Sequence, residues 1–123
     1  MLRIEKMKGK ILIVEDDTVN RTFFESLLRE KGYQVLSAMD GEEALALIKR
    51  ESPSLILIDV SIPKVTGVEV LRQSREQGLL TGKKVYALTG SLAREIEEAG
   101  FDGIITKPVR LEQFLETIKK ALE

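Results

Sequence analysis

The stretch Leu-Ile-Leu-Ile-Asp at positions 55–59 decides the predicted fold of this chain. Four aliphatic residues end in a carboxylate, and the run lies between Pro53 and Pro63. A short run that is wholly apolar is typical of a strand buried on both faces, as in a parallel sheet. A charge is costly inside such a strand but not at its end, and ligands of open α/β sheets bind at the carboxyl ends of the strands. Asp59 is therefore the first candidate functional residue.

Strand and helix patterns alternate along the rest of the chain. The other runs with strand character are residues 11–14, 34–38, 84–88 and 103–106. Such alternation is typical of βαβ units, and it predicts an α/β fold with a doubly wound, five-stranded parallel sheet and helices on both faces.

The intervening segments carry helical signals. Asp40 with Glu43, and Thr66 with Glu69, form capping patterns that open two helices. Ser91 is expected to cap a short helix over residues 91–99, whose apolar side includes Leu92, Ile96 and Ala99. The apolar face expected for the first helix is Val19, Phe23, Phe24, Leu27 and Leu28. The stripe expected for the last helix is Leu111, Phe114, Leu115, Ile118 and Leu122.

Composition limits the chemistry that this chain can perform. The chain has 123 residues, 43% hydrophobic and 32% charged, which fits one globular domain over residues 10–123 with a tail or linker over residues 1–9. A net charge of −1 provides no general attraction to nucleic acid or to anionic membrane. The absence of cysteine and histidine excludes thiolate and imidazole chemistry within the chain. No apolar run has membrane-spanning length, and we expect a cytoplasmic location.

Polar side chains follow four of the predicted strands. They are the acidic run at positions 15–17, Asp59, Thr89 and Lys107. Converging carboxylates repel each other unless a cation or proton lies between them, and an all-oxygen site suits Mg²⁺. Lysine and threonine beside it would bind further oxygens of a phosphoryl group. The combination predicts a site where a carboxylate nucleophile receives a phosphoryl group.

Each of these residues also has a simpler interpretation. The acidic run could complement the N-terminus of the following helix, and Asp59 could open a turn. Thr89 could be an ordinary β-branched strand residue, and Lys107 a solvated lysine. Because all four positions end strands of one sheet, the joint pattern favours the functional interpretation.

These motifs resemble the receiver domain of two-component response regulators, the fold of the chemotaxis regulators. The resemblance runs from about residue 10 to the C-terminus, through ILIVEDD at 11–17, LIDVSIPKVTG at 57–67, ALTG at 87–90 and TKP at 106–108. It implies a flavodoxin-like sheet with strand order 2-1-3-4-5. It also implies that Asp59 is the phosphoacceptor.

The resemblance assigns the remaining site residues. Asp16 would bind Mg²⁺, or Mn²⁺ in its place, directly, and Glu15 less directly; Arg21, five residues after Asp16, supports this register. Asp59 and the backbone carbonyl of Ser61 would complete the protein ligands. At the phosphoryl group, Thr89 would be the switch hydroxyl and Lys107, preceding a cis proline, would be the cation.

The resemblance also implies the partners. The phosphoryl donor would be a phosphohistidine on a histidine kinase or a histidine phosphotransfer protein, and this chain has no histidine of its own. The domain would catalyse its own phosphorylation and dephosphorylation without being an enzyme on an external substrate. It would signal to a downstream protein rather than bind nucleic acid or membrane, as a monomer or a weak phosphorylation-dependent dimer.

Three positions depart from the family pattern. Ile104 stands where an aromatic residue is common, three positions before Lys107. The interval from Thr89 to Lys107 is shorter than usual by about one helical turn. Thr66 replaces a common acid, which we interpret as a helix cap. The first two departures concern the output of the switch rather than the phosphorylation chemistry.

Several alternatives stay open from the sequence. The chain could be a stand-alone regulator or the receiver module of a hybrid histidine kinase. A small-molecule phosphatase that forms a phosphoaspartate would usually carry Asp-x-Asp at the first strand, whereas Asp59 follows the third. A flavin or nucleotide binder would need a phosphate-cradling loop after the first strand, where the acidic run would repel phosphate.

Overall fold

Residues 9–91 and 93–123 are described by the structure, a computed structural model, and they form one five-stranded parallel sheet. The strand order β2-β1-β3-β4-β5 confirms the predicted topology. The strands are β1 (Lys10–Val14), β2 (Gln34–Ala38), β3 (Leu55–Asp59), β4 (Lys84–Thr89) and β5 (Gly103–Thr106).

Five helices cover the two faces of this sheet. They are α1 (Thr18–Glu30), α2 (Gly41–Glu51), α3 (Gly67–Glu76), α4 (Arg94–Glu98) and α5 (Leu111–Ala121). Strand β3 shows why both faces are apolar, because Leu55 and Leu57 join the core beneath α1 and α5 while Ile56 and Ile58 join the core beneath α2 and α3. A central strand that is buried on both sides places its terminal carboxylate at the rim of the sheet.

Two of the three predicted helix caps are present. The Asp40 carboxylate accepts the Glu43 N–H at 2.8 Å, and Glu43 in turn accepts the N–H of Met39 at 2.7 Å. The Thr66 hydroxyl accepts the Glu69 N–H at 3.2 Å. Both caps satisfy amide groups that have no partner within the helix.

Two predicted apolar stripes were partly wrong. Phe24 and Leu28 are buried, but Val19 and Phe23 are 76% and 52% exposed. These two lie on a neighbouring stripe, about 100° around the helix, that points away from the sheet. Leu111, at the first position of α5, is likewise exposed at 46% because the buried stripe begins only at Phe114.

The prediction for α4 was also wrong in its start and cap. The helix begins at Arg94, after Ala93, and no side chain caps it. Ser91 is not the cap because it lies two positions before the N-cap residue Ala93, where its backbone N–H and carbonyl both bond to the Thr89 hydroxyl in a turn before the helix. Leu92, which we expected on the apolar side, lies outside the described residues. Ile96 is the buried residue of this five-residue helix.

Residues 1–8 lie outside the described part, so the domain boundary near residue 10 stays a prediction. Among the helices in residues 9–91 and 93–123, none is both long and apolar enough to cross a membrane.

Candidate functional site

The predicted site residues come from neighbouring strand ends at one rim of the sheet. Glu15 follows β1 directly, and Asp59 ends β3, which pairs with both β1 and β4. Thr89 ends β4, and its carbonyl accepts the backbone N–H of Lys107 at 2.9 Å. The parallel register therefore brings the acidic loop, Asp59, Thr89 and Lys107 to one edge, as the sequence predicted.

Three carboxylates and one ammonium form the centre of this site. Carboxylate oxygens of Glu15, Asp16 and Asp59 lie within 4.8 Å of one another. The Nζ of Lys107 is 2.6 Å from Asp59 Oδ2 and 3.0 Å from Glu15 Oε1. Glu15 and Asp59 are buried whereas Asp16 is exposed, so the cluster opens to solvent on the Asp16 side. When all four groups are ionised, three carboxylates and one ammonium give the cluster a net charge of −2.

Burial and hydrogen bonding oppose each other in the electrostatics of the site. Burial raises the pKa of Glu15 above its usual value, although hydrogen bonds from Lys107 and from the Asp17 N–H act to lower it. Burial also acts to lower the pKa of Lys107, but its hydrogen bonds to Asp59 and Glu15 outweigh that effect and raise it. Lys107 therefore stays a cation at neutral pH.

The third acid of the run, Asp17, has a different function. Its side chain caps α1 by accepting the Asn20 N–H at 2.9 Å. Its own N–H donates to Glu15 Oε2 at 3.3 Å. The simpler interpretation of the acidic run as a helix cap thus applies to Asp17, which leaves Glu15 and Asp16 for the cluster.

The β3–α3 loop is held close to Asp59. The N–H of Ser61 donates to Asp59 Oδ1 at 2.8 Å, and the Gly67 N–H donates to the Val60 carbonyl at 3.2 Å. On its other side the loop packs against α2, where a Cβ at Gly41 would lie 2.0 Å from the carbonyl oxygen of Val65. The loop that carries Ser61 is therefore wedged between the site and the start of α2.

Thr89 is placed beside the cluster rather than in contact with it. Its buried hydroxyl donates to the Ser91 carbonyl at 2.8 Å and accepts the Ser91 N–H at 3.1 Å. It lines a cleft between the β3–α3 loop and α4, together with Ser61, Ser91 and Glu95. For Thr89 to donate a hydrogen bond to a group on Asp59, its hydrogen bond to the Ser91 carbonyl must break.

A further residue of the site, Arg21, contacts the backbone of the acidic loop. The Nη1 of Arg21 donates to the backbone carbonyl of Glu15 at 2.9 Å and to that of Asp16 at 3.4 Å. Its position one turn into α1, five residues after Asp16, was visible in the sequence, but the acceptors were not. The Lys107–Pro108 bond is cis, as the resemblance implied.

The carboxylates fit a hard divalent cation. Opposite ligands of octahedral Mg²⁺ are about 4.2 Å apart, twice a bond of about 2.1 Å. Three oxygens within 4.8 Å of one another are close to that span. The all-oxygen donor set and the excess negative charge agree with the ligand preference of Mg²⁺ or Mn²⁺.

The profile of the family described as the response regulator receiver domain matches residues 11–119. The chain belongs to this family. The polar-differentiation response regulator DivK of Brucella anthropi is 33% identical over 120 residues, which cover 94% of this chain and 98% of that protein.

Solved receiver structures agree with this membership. The chemotaxis response regulator CheY4 of Vibrio cholerae is 30% identical, with a TM-score of 0.84 over 92% of this chain and 98% of that chain. The receiver domain of the sensor histidine kinase PA1611 of Pseudomonas aeruginosa is also 30% identical, with a TM-score of 0.85 over 93% and 97% of the two chains. That structure is described with a magnesium ion coordinated in its active-site cleft. This receiver domain is thus a signalling module of the response regulator and histidine kinase type.

Proposed function

We propose that this receiver domain accepts a phosphoryl group on Asp59 from the phosphohistidine of a histidine kinase or a histidine phosphotransfer protein. The observation that supports this most is the cluster at the end of β3, where Asp59 meets Glu15, Asp16 and Lys107. A buried carboxylate that has both an acidic cation site and a lysine as neighbours is suited to act as a nucleophile toward phosphorus.

The reaction is a transfer between two nucleophiles. A carboxylate oxygen of Asp59 attacks phosphorus, the bond from phosphorus to the donor imidazole nitrogen breaks, and the imidazole leaves with that electron pair. Lys107, already 2.6 Å from Asp59, follows the charge onto the phosphoryl oxygens. Water later attacks the same phosphorus and releases inorganic phosphate, which regenerates the Asp59 carboxylate. The chain acts on no separate substrate.

Glu15, Asp16, Asp59 and the carbonyl of Ser61 would hold Mg²⁺ or Mn²⁺. The ion supplies charge compensation between the anionic nucleophile and the anionic phosphoryl group. The N–H of Ser61 keeps Asp59 Oδ1 in a fixed direction at 2.8 Å, so that one carboxylate oxygen stays oriented while the other faces Lys107.

The donor protein would dock on α1 and the β5–α5 loop. Val19 and Phe23 form an exposed apolar strip there, and a cavity lined by Phe23, Pro108 and Lys107 continues from that strip to the cluster. A donor must approach Asp59 from this rim, so contact with the strip follows from the location of the site. Large exposed apolar side chains beside a functional site are typical of protein interfaces.

Phosphorylation would then be transmitted by protein–protein contact in the cytoplasm. The added negative charge would attract the Thr89 hydroxyl, which must release Ser91 and thereby shift the segment that leads to α4. The downstream target would be a protein rather than nucleic acid. A stand-alone regulator and a module of a hybrid kinase would use the same chemistry.

Intact-mass analysis tests this proposal. The protein is incubated with a small phosphodonor such as acetyl phosphate, with Mg²⁺ or with excess chelator, as wild type and as Asp59→Asn. We expect one phosphoryl adduct on wild type with Mg²⁺, and none with chelator or on the variant. Asp102→Asn is the matched control, since Asp102 is an exposed acid whose side chain binds the Val85 N–H away from the cluster. An adduct that persists on Asp59→Asn, or that needs no divalent cation, would refute it.

A further inference from the structure

Arg21 connects helix α1 to the backbone of the acidic loop. Its Nη1 donates to the carbonyls of Glu15 and Asp16, and its Nη2 lies 3.4 Å from the Thr18 hydroxyl. Consecutive carbonyls of an extended strand point in opposite directions. Two consecutive carbonyls can therefore accept from the same nitrogen only where the chain bends, and the bend is at Asp16.

The two acids differ in what orients their side chains. Glu15 is held by Lys107 at one carboxylate oxygen and by the Asp17 N–H at the other. The Asp16 carboxylate has no hydrogen bond or ion pair with any residue in 9–91 or 93–123. Its direction is therefore set by the backbone at the bend, and Arg21 holds that backbone.

We propose that Arg21 is a positioning residue that aims the Asp16 carboxylate at the divalent cation. This inference rests on the proposed function, because it assumes that the cluster binds the cation. Arg21 contacts carbonyls rather than carboxylates, so it acts on the geometry of the ligands and does not neutralise them. Groups that orient metal ligands typically contribute about 10- to 100-fold to metal affinity.

A second effect of Arg21 has the opposite sign. Its positive charge repels a cation bound nearby, so charge alone predicts that Mg²⁺ binds more tightly when Arg21 is made neutral. Positioning predicts weaker binding. The direction of the change in dissociation constant therefore separates the two effects.

Mg²⁺ titration of the full chain by calorimetry tests the proposal with Arg21→Met, Arg21→Lys and Arg29→Met. Arg29 is the matched control because it lies on the same helix and donates to one carbonyl, that of Val35 at 3.1 Å, away from the cluster. We expect Arg21→Met to raise the Mg²⁺ dissociation constant about tenfold. Lysine has a single nitrogen and cannot contact both carbonyls and the Thr18 hydroxyl in the same planar arrangement, so Arg21→Lys should raise it about threefold. Arg29→Met should leave it within about twofold of wild type.

A merely structural role for Arg21 would lower the thermal stability of Arg21→Met and leave its Mg²⁺ affinity unchanged. Unchanged or tighter Mg²⁺ binding in Arg21→Met overturns the positioning role, as does an equal loss in Arg29→Met. If Arg21→Met does not fold, Arg21→Lys decides, and an unchanged dissociation constant in that variant overturns the proposal. A wild type that binds no Mg²⁺ overturns the proposed function itself, which distinguishes the two failures.

Discussion

Lys107 has two partners in the cluster, and both are carboxylates with other proposed roles, Asp59 as the phosphoacceptor and Glu15 at the cation site. Its Nζ bridges Asp59 and Glu15, so it compensates charge where a divalent cation would also bind. A bound cation and Lys107 therefore repel each other, whereas both attract a phosphoryl group. Removing the charge of Lys107 should therefore change cation binding and phosphorylation in opposite directions.

Replacing Lys107 with methionine should separate binding from chemistry. Removal of the positive charge should tighten Mg²⁺ binding by roughly tenfold. Loss of the charge on the phosphoryl oxygens should slow phosphorylation by a small phosphodonor by about 100-fold at saturating Mg²⁺.

Calorimetry and time-resolved intact-mass analysis measure the two quantities. Lys10→Met is the control, since Lys10 pairs with Glu51 at 3.5 Å at the start of β1 and should alter neither. Weaker Mg²⁺ binding together with an unchanged phosphorylation rate would contradict this account of Lys107.

At the scale of the elements, α1 carries the surface that we assign to the donor protein. Phe23→Ala should slow phosphoryl transfer from a histidine phosphotransfer protein by about tenfold, because exposed aromatic residues dominate such interfaces. Phosphorylation by acetyl phosphate should not change, since a small donor does not touch α1. Both rates can be followed by intact mass on the same variant. An equal loss with both donors would assign Phe23 to the site rather than to docking.

On helix α3, away from the cluster, Glu69 makes the stability of the folded chain depend on pH. Hydrogen bonds from Arg72 and Gln73 lower the pKa of Glu69 from 4.5 to about 2. The folded chain therefore keeps Glu69 ionised at pH values where the unfolded chain protonates it. The stability that Glu69 contributes is fully present above pH 4.5 and is lost as the pH falls through about 2.

Urea unfolding of wild type and Glu69→Gln at pH 7 and pH 3 measures this contribution. We expect wild type to have the higher midpoint at pH 7 and a smaller advantage at pH 3. The advantage is small at both because the pair is exposed to solvent. An advantage of wild type over Glu69→Gln that grows toward acid pH would contradict a lowered pKa of Glu69 in the folded chain.

The elements also show which predictions a sequence supports. Apolar runs such as residues 11–14 and 55–58 predict buried strands because successive side chains of a strand point to opposite faces, so an unbroken apolar run is apolar on both. The face of α1 was less certain because helical spacing does not tell which of two adjacent stripes meets the sheet, and Phe23 proved exposed. The start of α4 was missed because the Thr89 hydroxyl bonds to the backbone of Ser91, in a local turn that competes with helix formation and that helical spacing alone does not indicate.

In the candidate site, too, the sequence predicted which residues meet but not which contacts their side chains make. Residue type and strand position predicted that Glu15, Asp16, Asp59 and Lys107 would meet, since parallel strands end at one rim. The sequence did not predict that Lys107 bridges two acids or that Arg21 binds two carbonyls. Both depend on side-chain directions that are set by tertiary packing.

At the scale of the whole molecule, the site depends on contacts between elements distant in sequence. Gly41 begins α2, its N–H donates to the Pro63 carbonyl at 3.2 Å, and the β3–α3 loop packs directly on it. Lys64, in the same loop, has φ of 70° and lies 3.6 Å from the Asp40 carboxylate. The start of α2 therefore fixes the loop that orients Asp59.

Gly41→Ala should reveal this coupling. A methyl group 2.0 Å from the Val65 carbonyl oxygen must displace the loop. We expect the free energy of unfolding to fall by about 2 kcal/mol, as for other overpacked sites. Phosphorylation should slow as Ser61 moves away from Asp59.

Gly90→Ala, where the added Cβ meets nothing within 4 Å, is the control for stability in urea unfolding. Equal stability of the two variants would contradict a tight α2–loop contact.

The central claim is that Asp59 carries the phosphoryl group. Borohydride reduces an acyl phosphate to an alcohol, so a phosphorylated aspartate becomes homoserine and can be located by peptide mass spectrometry. After phosphorylation with Mg²⁺ and reduction, we expect homoserine at position 59, with Glu15, Asp16 and Asp17 unmodified. Homoserine at another aspartate, or none at position 59 in a sample that carries the phosphoryl adduct, would contradict the account.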